Sequence, residues 1–179
     1  MANNLKTNPV GLDAVIAKIQ TKLYDKLTVL WGVSLEGYPR CYEIKRDKKI
    51  TVEHFISAND YVSLIHVDKN RFFFLNKKDY KQNSNRAFDT EIELYFILNV
   101  KECKSSINHR ADEEVRLDVM NILSTIGNIG INTSISTGIE DVLKGYDYKF
   151  TDDMQPYHCF KITMSVNDFK LNQTFCNGN

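Results

Sequence analysis

The stretch Gly145-Tyr146-Asp147-Tyr148-Lys149-Phe150-Thr151-Asp152-Asp153, followed by His158-Cys159-Phe160-Lys161-Ile162-Thr163-Met164-Ser165-Val166, decides how this chain is read. Tyr146, Tyr148 and Phe150 alternate with Asp147, Lys149 and Thr151, the period-2 pattern of a strand with one apolar face. Pro156 falls in the polar connection that follows, where a residue with no N–H to give a ladder belongs. Phe160, Ile162, Met164 and Val166 then face one way, and Lys161, Thr163 and Ser165 the other. The pattern predicts an antiparallel hairpin that closes the fold.

Upstream, Leu12, Val15, Ile16, Ile19, Leu23 and Leu27 recur at spacings of three and four, which predicts an amphipathic helix. Asn8 is its candidate cap and Pro9 sits in its first turn. Residues 28–33 are β-rich, and Leu35-Glu36-Gly37-Tyr38-Pro39 breaks them. Residues 40–55 read as two short strands joined by a charged turn at 45–49. Residues 61–67 and 71–75 are β-branched and aromatic runs separated by the turn triplet Asp68-Lys69-Asn70. Phe72 and Phe74 would share one face and Phe73 the other, which calls for a sheet covered on both sides or for an oligomer contact. Ile92, Leu94, Phe96, Leu98 and Val100 mark the central strand, with Tyr95 and Ile97 on its second face.

Asp112, Glu113 and Glu114 open a second helix, Val115, Val119, Ile122, Leu123 and Ile126 form its stripe, and Gly127 is placed to end it. Residues 137–144 read as a short helix or as the start of the next strand. The expected fold class is α+β: an antiparallel (mixed) sheet packed by an N-terminal helix and by a second helix before the closing hairpin. The expected organisation is a single domain over residues 1–179. It has an N-terminal arm at 1–8, a core at 9–166, a C-terminal arm at 167–179 and a long exposed loop at 77–90.

Composition narrows the function classes. Lys+Arg and Asp+Glu both total 23, so a chain whose main ligand is nucleic acid is disfavoured. No apolar run reaches the ~20 residues of a membrane span. The polar start at residues 1–8 lacks the apolar core of a signal peptide, so synthesis and retention in a cytoplasm are expected. The four cysteines (41, 103, 159 and 176) include no C-x-x-C pair and read as reduced structural thiols. Histidines 54, 66, 109 and 158 are scattered, with no helical i, i+4 pair to hold a metal. His158 and Cys159 point to opposite strand faces, against a catalytic dyad. Asp147, Asp152 and Asp153 read as solvated turn acids. No nucleophile elbow, P-loop or dinucleotide fingerprint is present. The reading assigns no catalytic residue, no cofactor and no metal, and expects a non-enzymatic protein.

Residues 139–166 resemble the C-terminal part of the tail terminator (tail-completion) proteins of long-tailed bacteriophages. The resemblance is carried by an apolar stretch, Ile139 to Leu143, running into Gly145-Tyr146-Asp147-Tyr148-Lys149. The turn acids Asp152 and Asp153 and the final alternating strand complete it. The order of elements (N-terminal helix, sheet, second helix, last strands) is similar too. The resemblance implies a structural virion protein: one subunit of a closed homo-oligomeric ring at the phage neck or tail, assembled in the host cytoplasm. Such a ring binds neighbouring neck, portal or tail proteins and lets DNA pass non-specifically through its lumen, with no membrane partner. Lys77, Lys78, Lys81 and Arg86, in the polar loop, are the expected inter-subunit or lumen residues. The alternative is a small binding or scaffold module, monomeric or dimeric. A third reading, RNA stacking on the Phe72–Phe74 face, lacks the positive charge that usually accompanies it.

Overall fold

A computed structural model describes residues 2–57, 60–66, 69–84, 87–107, 110–127, 129–130, 134–148 and 156–171. The first half of the chain runs β1 (Ala2–Asn3), α1 (Leu12–Trp31), β2 (Leu35–Arg40), β3 (Tyr42–Arg46), β4 (Lys49–Ser57), β5 (Asp60–Ser63) and β6 (Asn70–Asn76). The second runs β7 (Lys81–Ser84), β8 (Ala87–Asn99), α2 (Val100–Cys103), α3 (Asp112–Leu123), β9 (Ile129–Gly130), β10 (Ile135–Thr137), α4 (Ile139–Val142) and β11 (Tyr157–Lys170). The fold is α+β. A mixed sheet in the order β1-β2-β6-β8-β11-β10 forms its middle, and a separate antiparallel sheet, β3-β4-β5, lies against one face.

β8 is the central strand, as the alternation Ile92, Leu94, Phe96 and Leu98 predicts, while Val100, expected as its fifth inward residue, opens α2. It pairs antiparallel with β6 along one edge and with β11 along the other. Ile92, Leu94, Phe96, Leu98 and Val100 pack into the core on the helix side, with Phe72, Phe74, Phe160, Ile162, Met164 and Val166. Leu12, Ile16, Ile19, Leu23, Leu27 and Trp31 of α1 and Val115, Val119 and Leu123 of α3 close that core. Full burial of each α1 side chain contributes about 1.5–3 kcal/mol, enough to hold a helix whose isolated propensity would be marginal. Phe73, Tyr95 and Ile97 enter a second core on the other face, beneath β3–β5 and α4. Phe73 stacks on Tyr95 with ring centroids 5.2 Å apart. Both faces of the sheet are therefore covered, which is what the Phe72-Phe73-Phe74 run demands.

Several boundaries differ from the sequence reading, each for a physical reason. α1 starts at Leu12, not at Asn8-Pro9. Asn8 is itself left-handed (φ 49°) and Gly11 (φ 57°) occupies the cap. The helix then runs on through the β-rich residues 28–31, because Trp31 extends the buried stripe one turn beyond Leu27. Its indole N–H donates to Asp118 Oδ2 at 2.7 Å. Burial here overrides local β preference. Gly32 (φ 66°) ends the helix, its N–H bonded to the Thr28 carbonyl. The Gly37/Pro39 segment, read as a break, is β2. A Cβ on Gly37 would stand 2.8 Å from Phe72 Cζ, so glycine lets two strands approach. Pro39 falls in the bulge between Gly37 and Arg40, where no ladder N–H is required.

The closing strand is β11, with the predicted alternation, but the described residues of its expected partner, Tyr146, Asp147 and Tyr148, do not pair with it. Tyr146 makes a single parallel bridge to Ile50, and residues 149–155 lie outside the described residues. Over residues 160–166 both edges of β11 are already taken, by β8 on one side and β10 and β9 on the other. Tyr146 and Tyr148 pack against the second core instead. Of residues 137–144, Ile139–Val142 form α4, the helical option, while Thr137 ends β10. β5 and β6 do not form a hairpin with each other, since β5 pairs with β4 and β6 enters the main sheet.

Both expected arms are anchored where they are described. Ala2 and Asn3 pair in parallel with β2, and Gln20 donates to Asn3 Oδ1 at 2.8 Å. β11 continues to Lys170 across a bulge, with Phe169 buried against Tyr80. The expected loop at 77–90 contains β7, which folds back on the start of β8. α3 ends at Leu123, four residues before Gly127, which follows a short run of turns. Among the described residues no helix is long and apolar enough to cross a membrane.

Candidate interaction surface

The small sheet carries a group of exposed apolar side chains. β3 and β4 are joined at Asp47 (φ 47°) and Lys48 (φ 72°), two successive left-handed residues, as a two-residue hairpin turn requires. This is the charged turn expected at 45–49. Val52 is fully buried in the second core and the His54 ring lies 5.2 Å from Tyr38, so these two residues mark the inward face. Phe55 and its cross-strand neighbour Tyr61 therefore look outward, with ring centroids 5.4 Å apart, and Tyr42 shares that side.

Beyond His54 the sheet runs past the body it covers. Val62, opposite His54, belongs to the inward face yet is 38% exposed, and Ile56, at a bulge, is 57% exposed. Phe55, Tyr61 and Tyr42 are 41%, 42% and 59% exposed. The β4–β5 end thus carries apolar side chains in water on both faces. Isolated exposed hydrophobics are common, whereas a contiguous group is the mark of a binding surface.

Beneath this end lies an open cleft of about 660 Å³, bounded by the N-terminal segment, the ends of β2 and β6, and β3 and β4. Its charged wall is self-contained. Arg40 donates to both Asp13 oxygens, at 2.8 and 3.2 Å, and Lys6 pairs with the same carboxylate. Burial pushes the Asp13 pKa up, but Arg40 and Lys6 outweigh it and hold the carboxyl below its ordinary range. Burial lowers the pKa of His54 on the opposite wall. Another notch, of about 510 Å³, is polar, and there Asp112 accepts from Arg110 at 2.9 and 2.7 Å. Among the described residues no group of three or more His, Cys, Asp or Glu is placed to hold a metal ion. Cys41, Cys103 and Cys159 are buried, and burial drives the Cys41 thiol far up and the Cys103 thiol to about 12, away from nucleophile chemistry.

Of the residues read as lumen or interface candidates, three lie among the described residues. Lys77 pairs with Glu43, donates to the Tyr146 hydroxyl at 2.7 Å and lies over that ring. Lys78 pairs with Glu91 at 2.7 Å. Lys81 is exposed on β7, and Arg86 lies outside the described residues. The first two are tied to carboxylates of their own chain. The β4–β5 end was not singled out from sequence, although a signal exists: Phe55-Ile56 and Tyr61-Val62 are adjacent apolar pairs, and in a strand each pair places one side chain on either face. No protein-family model matches the chain, and no curated protein is significantly similar to it.

Proposed function

We propose that this chain is a non-enzymatic structural protein, one subunit of a closed homo-oligomeric ring in a phage neck or tail, joining neighbouring rings around a DNA channel. The observation that carries the proposal is the β4–β5 end, whose apolar side chains face water on both sides. Such an end is suited to lie between two other surfaces, as subunits of a ring do when each contact is repeated by rotation. The resemblance of residues 139–166 and the order of helix, sheet, second helix and last strands support the same reading. A net charge of zero suits a lumen through which DNA slides without tight phosphate binding. The residues that look reactive by type are engaged otherwise: the described thiols are buried and the charged wall of the cleft is internally paired.

The test is solution mass together with negative-stain images. The proposal expects discrete annular particles, either from the protein alone or on addition of isolated tail tubes or portal rings. A monomer that binds neither would favour the alternative, a binding or scaffold module using the same apolar end against a different protein.

A further inference from the structure

The two chain connections of the small sheet leave it at one level. β3 begins at Tyr42 and β5 ends at Ser63, and both residues stand in register with Glu53 of β4. Just outside that line the chain is fixed to the body. The Cys41 N–H donates to the Phe74 carbonyl at 2.8 Å, Leu64 and Ile65 are buried, and Arg71 donates to the Leu64 carbonyl at 3.1 Å. Within β3, β4 and β5 only Val52 and Glu53 are buried, and both lie at the same line. No backbone ladder joins the two sheets among the described residues. The small sheet is therefore attached along a line, with one arm on either side of it.

The two arms are held unequally. On the side of the β3–β4 hairpin, the Tyr146 hydroxyl donates to Glu43 at 2.5 Å and accepts from Lys77 at 2.7 Å, and its ring meets Tyr95 of the main sheet edge-on. The Asp147 N–H donates to the Ile50 carbonyl at 2.7 Å, and its carboxylate pairs with Lys49 at 2.8 Å. On the other side the His54 ring rests against Tyr38, one residue beyond the line. Past it, among the described residues, no hydrogen bond or ion pair ties residues 55–57 or 60–62 to the body. That arm overhangs the open cleft. Ile56 lines the cleft and Val62 belongs to the inward face, both in water.

We propose that the small sheet is a rocker. It pivots on the Tyr42–Glu53–Ser63 line, Tyr146 and Asp147 latch its hairpin arm, and release of the latch lets the β4–β5 arm close over the cleft. Closure would bury Ile56 and Val62, which the latched position leaves in water. The latch opposes it with partly exposed polar ties, whose paired side chains are 30% to 66% exposed, the weaker kind of contact. From the pivot to Ile56 is a lever of about 10 Å, so a tilt of roughly 30° lowers its tip by ~5 Å. Latched, the molecule offers this apolar end to a partner; rocked, it hides the inward side. The device belongs to the single chain and does not depend on the ring reading, which particle mass tests separately.

Spin labels on Tyr61→Cys and Thr7→Cys, with Cys176→Ser, report the distance across the cleft in the full chain by pulsed electron resonance. With the latch intact, one main distance is expected. Tyr146→Phe keeps the ring and removes the hydroxyl. It should add a population shorter by about 5 Å and raise the ratio of rocked to latched molecules about ten-fold. Glu43→Gln, on the other end of the same hydrogen bond, should act in the same direction. Circular dichroism and an unchanged unfolding slope verify that each variant is folded. Unchanged distances in both variants would overturn the rocker, as would a short distance that already dominates with the latch intact. A broad spread with faster hydrogen exchange throughout β3–β5 would overturn it too, because the sheet would then be melting instead of turning as one body.

Discussion

Gly37→Ala probes the central packing of the main sheet, and its cost can be worked from distances. The added Cβ would meet Phe72 Cζ at 2.8 Å and Cε1 at 3.2 Å, with Asn3 Oδ1 at 3.1 Å. A flexible side chain would swing away, but Phe72 is fully buried and held by Phe74 and Phe96, at centroid distances of 6.2 and 5.5 Å. Moving that ring disturbs the helix-side core, and overpacking of this kind costs about 1–3 kcal/mol. Lower entropy of the unfolded chain returns about 0.4–1 kcal/mol for a glycine-to-alanine change. The expected net loss is therefore about 1–2 kcal/mol. For a chain of 179 residues that is a fall in Tm of roughly 2–8 °C.

Urea unfolding should show a lower midpoint at an unchanged slope. Gly127→Ala is the control, since nothing stands within 4 Å of its added Cβ, and it should be neutral or slightly stabilising. Phe72→Leu removes the colliding atoms, so Gly37→Ala should cost at least about 1 kcal/mol less in that background. A neutral Gly37→Ala, or equal costs in the two backgrounds, would refute the close-approach argument.

Other outcomes follow from single features. Lys48→Gly should stabilise the protein by about 1 kcal/mol in chemical denaturation, by relieving a left-handed lysine in the β3–β4 turn. Arg110 holds the Asp112 carboxyl at about 2 against an ordinary 3.8, so its stabilisation is present above that ordinary value and lost as pH falls towards 2. Asp112→Asn should therefore flatten the acid limb of a stability–pH curve in that window and leave the curve above pH 5 parallel to wild type. Trp31→Phe should cost about 1–3 kcal/mol by removing the only donor from the indole to a charged acceptor, measured by urea denaturation followed by circular dichroism. Native protein should label no more than one thiol rapidly, and denatured protein all four, because Cys41, Cys103 and Cys159 are buried.

The sequence was most informative where a side-chain period coincided with burial on one face. The stripe from Leu12 to Leu27, the inward residues Ile92, Leu94, Phe96 and Leu98 of β8 and the alternation in β11 all settled into the cores they predicted. The split of Phe72 and Phe74 from Phe73 did as well. Legibility failed where backbone pairing needs no apolar signal. Ala2-Asn3 and Lys81–Ser84 form strands without an apolar alternation because an adjacent strand offers N–H and C=O groups. It failed again where a long-range contact outranked a local preference, as when Trp31 carried α1 through a β-rich run. The aromatic alternation at Tyr146 and Tyr148 was real but served packing on the second core, since β11 had no edge left for it. The β4–β5 end was hidden for a related reason. Period-2 patterns mark strands with one wet face, and a sheet that overhangs its support has two.

The most direct measurement of the central claim is the mass of the purified full chain in solution, read by sedimentation and by images of any large species. The account predicts annular particles whose mass is a whole multiple of 20.7 kDa, formed alone or on a tail-tube or portal ring. A 20.7 kDa monomer at every concentration, indifferent to both kinds of ring, would contradict it.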